Sequence, residues 1–322
     1  SGNKVRVTVS LIQTENNEMI WSKKFDRSLD DIFEVQDEIV RSVTFAILGE
    51  IELASLSRAK RKPTNNMSSY EFLLKGKELH HQFNKEANVL AVQMFDSAIE
   101  ADPENGQAYA WKACTIGQAL GRGYIEKPIN EFLPEFHNLM ETALKLNPTD
   151  FECHRLLSAV YSMQGKMNKA LEHGKKAFEM VPNDPRILQQ YGEALLKTGK
   201  TKEGCELTLL ALEYDPVAQG QSNSDKRKSD AVFACYLDER IDLGLEIARG
   251  IDQRNEQTLL FCAGLAISKN KSLKEFSWLL EDLRRADVYK LEESIEAIGT
   301  VDVVLQSSLR EIYLDHIVPL LA

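Results

Sequence analysis

Histidine and cysteine carry much of the metal binding and nucleophilic chemistry of proteins, but their spacing in this chain favours neither. No two of the six histidines stand three or four residues apart, the spacing that places two metal ligands on one helix face. Cys153 and His154 are adjacent and point to different faces of a helix, which disfavours a Cys–His nucleophile. The five cysteines include no Cys-x-x-Cys pair, and this usage indicates buried free thiols in a reducing compartment.

The glycine-rich motifs of phosphate and acyl chemistry are also missing from the sequence. It contains no Gly-x-Ser-x-Gly motif and no Gly-x-x-x-x-Gly-Lys-Ser/Thr loop. The acidic pair Asp30-Asp31 stands at a predicted helix start, where carboxylates favour the positive end of the helix dipole, so we interpret it as capping. We therefore expect a chain without catalytic activity, and with neither a cofactor nor a metal site.

Composition sets further limits on partners and location. The chain has 322 residues and a formal net charge of −10, which argues against nucleic acid as the main ligand because phosphate binding needs clustered Lys and Arg. The longest apolar run, Leu259–Ile267, is too short to span a bilayer. No secretory signal is found at the start of the sequence. These features predict a cytoplasmic chain that binds neither nucleic acid nor membrane through this region.

Alanine and proline recur together at one spacing. The last three prolines of the series are 34 residues apart, and so are their partner alanines. A fixed period of this length is typical of stacked helical repeats, which present surfaces to other proteins far more often than they do chemistry. The pairs are Ala98/Pro103, Ala143/Pro148, Ala177/Pro182 and Ala211/Pro216.

Residues 151–184 show how one repeat is built. Leu156 and Val160 recur at helical spacing along a first helix. Gly165 breaks that helix, because glycine tolerates the left-handed turn between two helices. Pro182 ends the second helix, since proline cannot donate the helical hydrogen bond. The sequence therefore predicts a helical hairpin for each repeat.

The repeat resembles the tetratricopeptide repeat (TPR) family. The match is strongest over residues 151–216, and the residues that carry it are Tyr161, Gly165, Ala170, Ala177 and Pro182. Earlier units cover residues 68–103 and 106–148. The second of these carries an insertion at residues 121–134, which we interpret as an elaborated loop between helices, either a bland surface loop or one that contributes to specificity.

This resemblance implies a mostly α fold, a TPR-type helical-hairpin solenoid. We expect four TPR-like units at 63–216, followed at 217–322 by degenerate helical repeats and capping helices, because a solenoid needs a terminal element to cover its last repeat. In this last region, amphipathic patterns predict helices at Ala231–Ile251, Gln257–Ser268, Leu273–Arg285 and Val301–Leu321.

The segment 1–62 has a different pattern and is predicted to be a truncated α/β segment. Alternating apolar residues from Val5 to Leu11 indicate one strand, and Met19–Phe25 indicates a second, so a β-hairpin is expected. A long helix follows, with its apolar face starting at Val35. The basic run Arg58–Lys62 then forms a linker.

The same segment resembles a junction in bacterial multidomain regulators that joins a small α/β module to TPR units. The resemblance rests on residues 5–12, 20–27 and 29–39. In that family the upstream part is a class III adenylate or guanylate cyclase catalytic domain, or in relatives a winged-helix DNA-binding domain as in CadC-like activators. The chain starts inside the α/β module, so no cyclase residue can be assigned here.

Two functional interpretations follow and remain open at this point. The first is a non-catalytic protein–protein interaction or regulatory scaffold, the TPR region of a cyclase-like signalling protein. The alternative is the effector or sensor domain of a CadC-like transcription regulator. The identity of the domain upstream of Ser1 would discriminate between them.

The TPR resemblance also implies a concave groove that binds a protein or peptide. In that family the groove is lined by fixed positions of the first helix of each unit. Here the implied residues are Gln107, Cys114, Gln118, Glu152, Arg155, Ala159, Ser162, Met163, Arg186, Gln189, Glu193 and Lys197. The Lys and Asn pair that clamps a peptide carboxylate in chaperone-binding members is not matched. We expect Arg155, Arg186 and Lys197 to meet acidic groups of a partner segment.

The predicted β-hairpin raises the question of oligomeric state. Two strands bury an apolar face poorly and leave open edges that invite pairing with another chain. We expect a homodimer joined through residues 4–26, with folding of the hairpin back onto its own repeats as the alternative.

Overall fold

The computed structural model describes residues 4–14, 17–28, 40, 67–125, 129–215, 225–269, 272–299 and 303–321. It divides the chain into two compact units, residues 1–153 and 154–322. The predicted long helix that contains Val35 and the basic run Arg58–Lys62 lie outside the described residues.

An antiparallel β-hairpin opens the first unit, as the alternation of apolar and polar residues predicts. Strand β1 (Lys4–Gln13) pairs with strand β2 (Glu18–Ser28). Ile12 lies opposite Met19 beyond a bulge, and both side chains are exposed, whereas Phe25 is buried. The two apolar exposed side chains therefore lie near the turn of the hairpin.

Helical hairpins make up the rest of the first unit. The helices are α1 (Ser69–His80), α2 (Lys85–Ala101), α3 (Gly106–Gly121) and α4 (Ile129–Leu146). Side chains that favour helix starts cap three of them: Ser68 forms a capping box with Glu71, and Asn84 and Asn105 accept backbone N–H groups. Consecutive helices pack against each other, and the fully buried Phe95, Trp111 and Phe136 lie in their core.

The insertion at 121–134 differs from the expected loop. Helix α3 extends to Gly121, and α4 has already begun at Ile129, so Pro134 lies inside a helix. Proline cannot donate the helical hydrogen bond at this position, but the helix, 18 residues long in all, still buries Phe132, Phe136 and Met140. Compared with the next hairpin (Phe151–Met163 and Met167–Met180), both helices of this hairpin and the connection between them are longer, so the extra residues are shared among the three.

The second unit continues with the same kind of hairpin. Helix α5 (Phe151–Met163) begins at the end of the first unit and is followed by α6 (Met167–Met180), α7 (Pro185–Lys197), α8 (Thr201–Tyr214), α9 (Lys226–Leu237) and α10 (Ile241–Arg249). Within residues 154–322, helix α7 packs against α6 and α8, and α9 packs against α8 and α10. The predicted helix Ala231–Ile251 is wrong in one respect, because a turn at residues 238–240 divides it into α9 and α10.

A left-handed residue follows the first helix of each of these hairpins. In three of them it is the glycine that the sequence predicts or permits, Gly123, Gly165 and Gly199, with φ of 67°, 70° and 81°. In two it carries a side chain: Phe83 has φ 52° and Glu239 has φ 55°. A left-handed residue therefore recurs in each turn although the residue type changes.

The remaining elements are helical too. They are α11 (Glu256–Ser268), a 3-10 turn (Leu273–Glu275), α12 (Ser277–Arg285), α13 (Val288–Gly299), α14 (Val303–Ile312), a π-helical turn (Tyr313–Ile317) and α15 (Val318–Leu321). Helix α13 has no counterpart among the predicted helices. Helix α11 is the centre of this part, since Leu260, Cys262 and Ala263 are fully buried in one cluster with side chains from α9, α12, α13 and α14.

Candidate functional site

A cavity of about 650 Å³ lies within the second unit. It is bordered by α7, α8, α9, α11, α13 and α14. Its polar lining includes Gln189, Glu193, Lys197, Lys226, Asp230, Asn255 and Gln257. Its apolar lining is Leu196, Phe233, Leu237, Phe261, Ile298 and Leu305. The volume falls in the range of small-ligand and side-chain pockets.

Helical spacing sets the charged groups of this cavity in pairs. Lys197 Nζ donates to Glu193 Oε1 at 2.6 Å, and Lys226 Nζ donates to Asp230 Oδ1 at 2.7 Å. In both pairs the residues are four apart on one helix, so their side chains lie over the same face. The carboxylates remain partly accessible because they face the cavity, with Glu193 37% and Asp230 27% exposed.

A buried arginine connects the helices that carry these pairs. Arg227 on α9 bonds Asp215 Oδ2 through Nη2 at 2.9 Å and the backbone oxygen of Pro185 through Nη1 at 3.2 Å. The same Nη1 donates to Gln189 Oε1 at 2.5 Å, and Gln189 Nε2 in turn donates to Asp230. Because Arg227 is 2% exposed, removing one of its partners would leave a buried charge unsatisfied. The network fixes the polar wall of the cavity.

The pKa values of the lining groups reflect both burial and pairing. Burial raises the pKa of Glu193, but the positive charges of Lys197 and Lys226 outweigh it, so that the pKa is lowered. Burial lowers the pKa of Lys226, yet Asp230 and Glu193 raise it above its ordinary value. For Asp230 burial prevails over the attraction of Lys226, and the pKa is raised. Glu193 and Lys226 are thus held in their charged forms.

The apolar part of the cavity lining is aromatic and aliphatic. Phe233 and Phe261 pack with ring centroids 4.9 Å apart, and Tyr236 lies 5.4 Å from Phe261. These rings belong to α9 and α11, which also form the core of the second unit. The cavity lining therefore combines paired charges and amides with apolar side chains.

Histidine and cysteine lie elsewhere. His154 Nδ1 and His173 Nδ1 are 2.9 Å apart, and Tyr161 stacks on His173 with centroids 5.5 Å apart. The five cysteines are free, and all except the half-buried Cys114 are buried. Burial, followed by the charges of Asp150 and Glu152, raises the pKa of the Cys153 thiol. In the part of the chain that the structure describes, no group of three or more potential ligands could hold a metal ion.

Comparisons with known proteins bear on the fold first. The structure is similar to a chain of the APC/C hetero-tetramer Cut9–Hcn1, with a TM-score of 0.51 and 15% identity over 81% of this chain and 45% of that one. It is also similar to TTC0263, a thermophilic TPR protein of Thermus thermophilus, with a TM-score of 0.43 and 17% identity over 57% of this chain and 89% of that one. The helices pair into hairpins of the predicted period, joined by the predicted turns. The fold is that of the TPR proteins.

Sequence comparison finds a relative of another kind. No protein-family model matches the chain. A protein of Rhizobium meliloti (strain 1021) named "Putative adenylate cyclase 3" is 26% identical over 110 residues, 34% of this chain. The chain spans 19% of that relative's length. Among the described residues, no helix is long and apolar enough to cross a membrane.

With the TPR fold in place, the predicted groove residues can be located in each unit. In the first, Gln107 donates to Asp150 Oδ2 at 2.9 Å and Gln118 accepts from Asn88 at 3.0 Å, while Cys114 is half-buried and Glu152 buried. These side chains therefore already bond or pack within the first unit.

In the second unit three of the predicted residues, Gln189, Glu193 and Lys197, come together on the cavity wall. Ser162 is buried and accepts from Lys197 Nζ at 3.3 Å. Arg155 and Ala159 are half-buried on α5, and the side chain of Met163 lies outside the described residues.

The expected cationic contacts are partly taken up inside the chain. Arg186 bonds Asp184 Oδ2 through Nη2 at 2.6 Å, and Lys197 is paired with Glu193. A partner carboxylate would therefore have to share these cations with an internal one.

Sequence reasoning identified only Gln189, Glu193 and Lys197 and missed the other residues that line the cavity. Lys226, Asp230 and Phe233 belong to α9, and Phe261 to α11, beyond the point at which the repeat register fades. A signal was present in the four-residue spacing of Lys226 and Asp230, which places an ion pair on one helix face. The run Lys226-Arg227-Lys228, which precedes the predicted helix Ala231–Ile251, forms the first turn of α9.

Proposed function

We propose that this chain is a non-catalytic protein-interaction region of a bacterial cyclase-like signalling protein. The TPR fold supports the interaction role, since stacked helical hairpins present extended surfaces to partner proteins. The likeness to a relative named as an adenylate cyclase supports the cyclase context over the CadC-like alternative. Because fold alone does not fix function, the proposal rests on the site.

The observation that carries the proposal is the cavity of the second unit, whose lining is partly charged and partly apolar. Its wall of Gln189, Glu193 and Lys197 comes from α7, the first helix of a TPR hairpin, as the predicted groove requires. The rings of Phe233 and Phe261 in the same lining supply an apolar surface. A peptide segment of a partner, with a large apolar side chain flanked by polar or charged groups, fits this combination.

The test is selection of peptides from a displayed random library, followed by calorimetry on the selected peptides. The informative variant exchanges one ion pair of the lining, Glu193→Lys with Lys197→Glu, which keeps the net charge and the ion pair on α7 but places a cation near Lys226 and inverts the field that a peptide meets. The matched control exchanges the exposed pair Glu172 and Lys176 on α6, which has the same spacing and lies outside the cavity.

We expect the exchange in the cavity to lower the affinity for the selected peptides about tenfold, as for charged groups at interfaces. The control exchange should change the affinity by less than about twofold. Equal binding by both variants would place the peptide site elsewhere. Incubation of the chain with ATP or GTP should yield no cyclic nucleotide, and turnover that a substitution within this chain abolishes would contradict the non-catalytic assignment.

The same proposal includes a homodimer formed through the β-hairpin at residues 4–26. Exposed Ile12 and Met19 near its turn, and two strands with open edges, support pairing with a second chain. Light scattering on the chain and on a form beginning at Pro63 tests this. A dimer that survives removal of residues 1–62 would exclude the hairpin as the interface.

A further inference from the structure

A second concave surface lies at the C-terminal end of the chain, and it shares no lining residue with the cavity described above. Helix α13 and the end of α14 with the π-helical turn enclose a groove of about 490 Å³. Its exposed lining, here called the C-terminal groove, is Tyr289, Glu292, Glu293, Glu296, Arg310 and Leu314. Buried Ile295 and Tyr313 form its base.

The π-helical turn sets the apolar part of this groove. It places Tyr313 and Ile317 in the core, at 3% and 0% exposure, and leaves Leu314 54% exposed. Tyr289 is 79% exposed, so most of its ring is open to a ligand. Single exposed apolar residues are ordinary, but here an aromatic and an aliphatic side chain line one concavity. Single π turns within helices also occur frequently at functional sites.

The charge of the groove is negative. Its lining contains three carboxylates and one guanidinium, and Arg310 is bound to Glu296, which also accepts from Gln306 at 3.0 Å. Glu292 accepts only a long bond, 3.4 Å, from the Tyr313 hydroxyl. Burial and then the charge of Glu292 raise the pKa of Tyr313. Within the described residues neither Glu292 nor Glu293 forms an ion pair, so two carboxylates remain for a ligand.

We propose that the C-terminal groove binds a basic amphipathic segment of another protein. Lysine or arginine side chains of that segment would meet Glu292 and Glu293, and a cation could also lie over the open ring of Tyr289. A large aliphatic side chain would cover Leu314. This site goes beyond the peptide cavity, and its partner is defined by opposite charge.

Charge argues against a second copy of this chain as the occupant. Two copies related by a twofold axis would bring the same carboxylates together, and the chain as a whole carries a formal net charge of −10. Like charges facing each other oppose association.

The experiment measures fluorescence anisotropy of three labelled peptides of about 18 residues, long enough to form a helix. The first peptide carries leucine on one face of the helix and lysine on the opposite face. The second replaces each leucine of the first by serine, and the third replaces each lysine by glutamate. We expect the first to bind at least about tenfold more tightly than the other two, because only it matches both the carboxylates and the apolar side chains. Equal binding of the first two would show attraction to net charge alone and would overturn the proposal.

Variants of the whole chain assign the site. Glu292→Gln with Glu293→Gln should weaken the leucine–lysine peptide about tenfold, and Leu314→Ser about fivefold, as for charged and apolar contacts within an interface. The matched control, Glu135→Gln with Glu141→Gln, removes the same charge from exposed positions of α4 and should change the affinity less than twofold. An equal loss in the control would overturn the proposal.

Two further outcomes would assign the groove to another occupant. Binding that appears only after Arg58, Lys60, Arg61 and Lys62 are changed to glutamine would assign it to the chain's own basic segment. Self-association that Leu314→Ser abolishes would assign it to a second copy. Either result would overturn the proposal.

Discussion

The hairpins α7–α8 and α9–α10 have one geometry and two sequence signatures. After the first helix of each, a backbone N–H reaches back five residues: Lys200 to Leu195 at 3.0 Å and Arg240 to Cys235 at 2.9 Å. This bond belongs to the Schellman motif, which requires a left-handed residue just before it. That residue is Gly199 in the first hairpin and Glu239 in the second. The turn is therefore specified by hydrogen bonding and packing, and glycine only lowers the conformational free energy of its left-handed residue.

The two hairpins differ more in how their helices approach. In α7–α8 two glycines face each other, and a methyl group on Gly204 would lie 2.8 Å from the backbone oxygen of Gly192. In α9–α10 a methyl group on Gly244 would meet the Leu265 side chain at 2.7 Å and the Cys235 Cβ at 2.9 Å. In the hairpin α7–α8 the two helices approach until their backbones are in contact. In the hairpin α9–α10 the approach is limited by side chains, including one from α11.

The largest expected effect breaks the regular hairpin. Gly204→Ala should lower the free energy of unfolding by about 3 kcal/mol, because the backbone of Gly192 and the nearby Leu196 cannot move aside without separating the helices. Urea denaturation measures the loss. Gly250→Ala is the control, since its nearest neighbour would be 3.5 Å away. Comparable losses in both variants would contradict the close-approach argument.

The corresponding change in the divergent hairpin should cost less. Gly244→Ala meets the end of the Leu265 side chain, which can change rotamer, although the Cys235 Cβ cannot. We expect a loss of about 2 kcal/mol. Leu265→Ala combined with Gly244→Ala should recover part of the clash term, and a double-mutant cycle measures the coupling between the two sites. Strictly additive losses would exclude Leu265 as the obstacle.

This comparison shows what the sequence could predict. Glycine at the turn and proline after the second helix mark residues 151–216, so α5 to α8 were predicted nearly to their ends. After Pro216 the markers disappear although the geometry continues, and Ala231–Ile251 was predicted as one helix because nothing in the sequence identifies Glu239 as a left-handed residue. A prediction that uses glycine and proline as markers of turns cannot locate a turn whose left-handed residue is a helix former such as glutamate.

The candidate site follows the same division. Gln189, Glu193 and Lys197 lie on the regular helix α7 and were predicted from the TPR resemblance. Lys226 and Asp230 lie on α9, and they enter the cavity through tertiary packing that local periodicity does not encode. Likewise, the partner of His154 was not predictable, because His173 lies 19 residues away on the next helix.

Acid should weaken the regular hairpin α5–α6 more than α9–α10. Burial and then the neighbouring His154 lower the pKa of His173 from 6.5 to about 4. The charge of Glu172 opposes this shift, and the charges of Lys176 and Lys169 add to it. The pKa of His173 is lower in the folded chain than in the unfolded chain, so folding favours the neutral ring. The stability that this preference contributes is present above pH 6.5 and is lost as the pH falls toward 4. Because the ring is half-buried, we expect a discounted loss of about 1 kcal/mol.

Hydrogen exchange at pH 7 and pH 5 measures this difference hairpin by hairpin. Protection of α5 and α6 should fall relative to that of α9 and α10. His173→Gln removes the titrating group and should abolish the relative change, whereas a pH effect that persists in this variant would assign it to other groups.

The smallest expected effect makes the divergent hairpin more like the regular one. Glu239→Gly should stabilise the chain by about 0.5 kcal/mol, because relief of the left-handed strain of about 1 kcal/mol exceeds the added entropy of glycine in the unfolded chain. The converse substitution, Gly199→Ala, should destabilise by about 1 kcal/mol, since a methyl group there meets no atom but its backbone is left-handed. Glu246→Gly, an exposed substitution inside α10, is the matched control and should cost about 1 kcal/mol. Urea denaturation of the three variants gives the signs, and a loss at Glu239 equal to that at Glu246 would show that the Glu239 side chain stabilises this turn by more than its backbone strain costs.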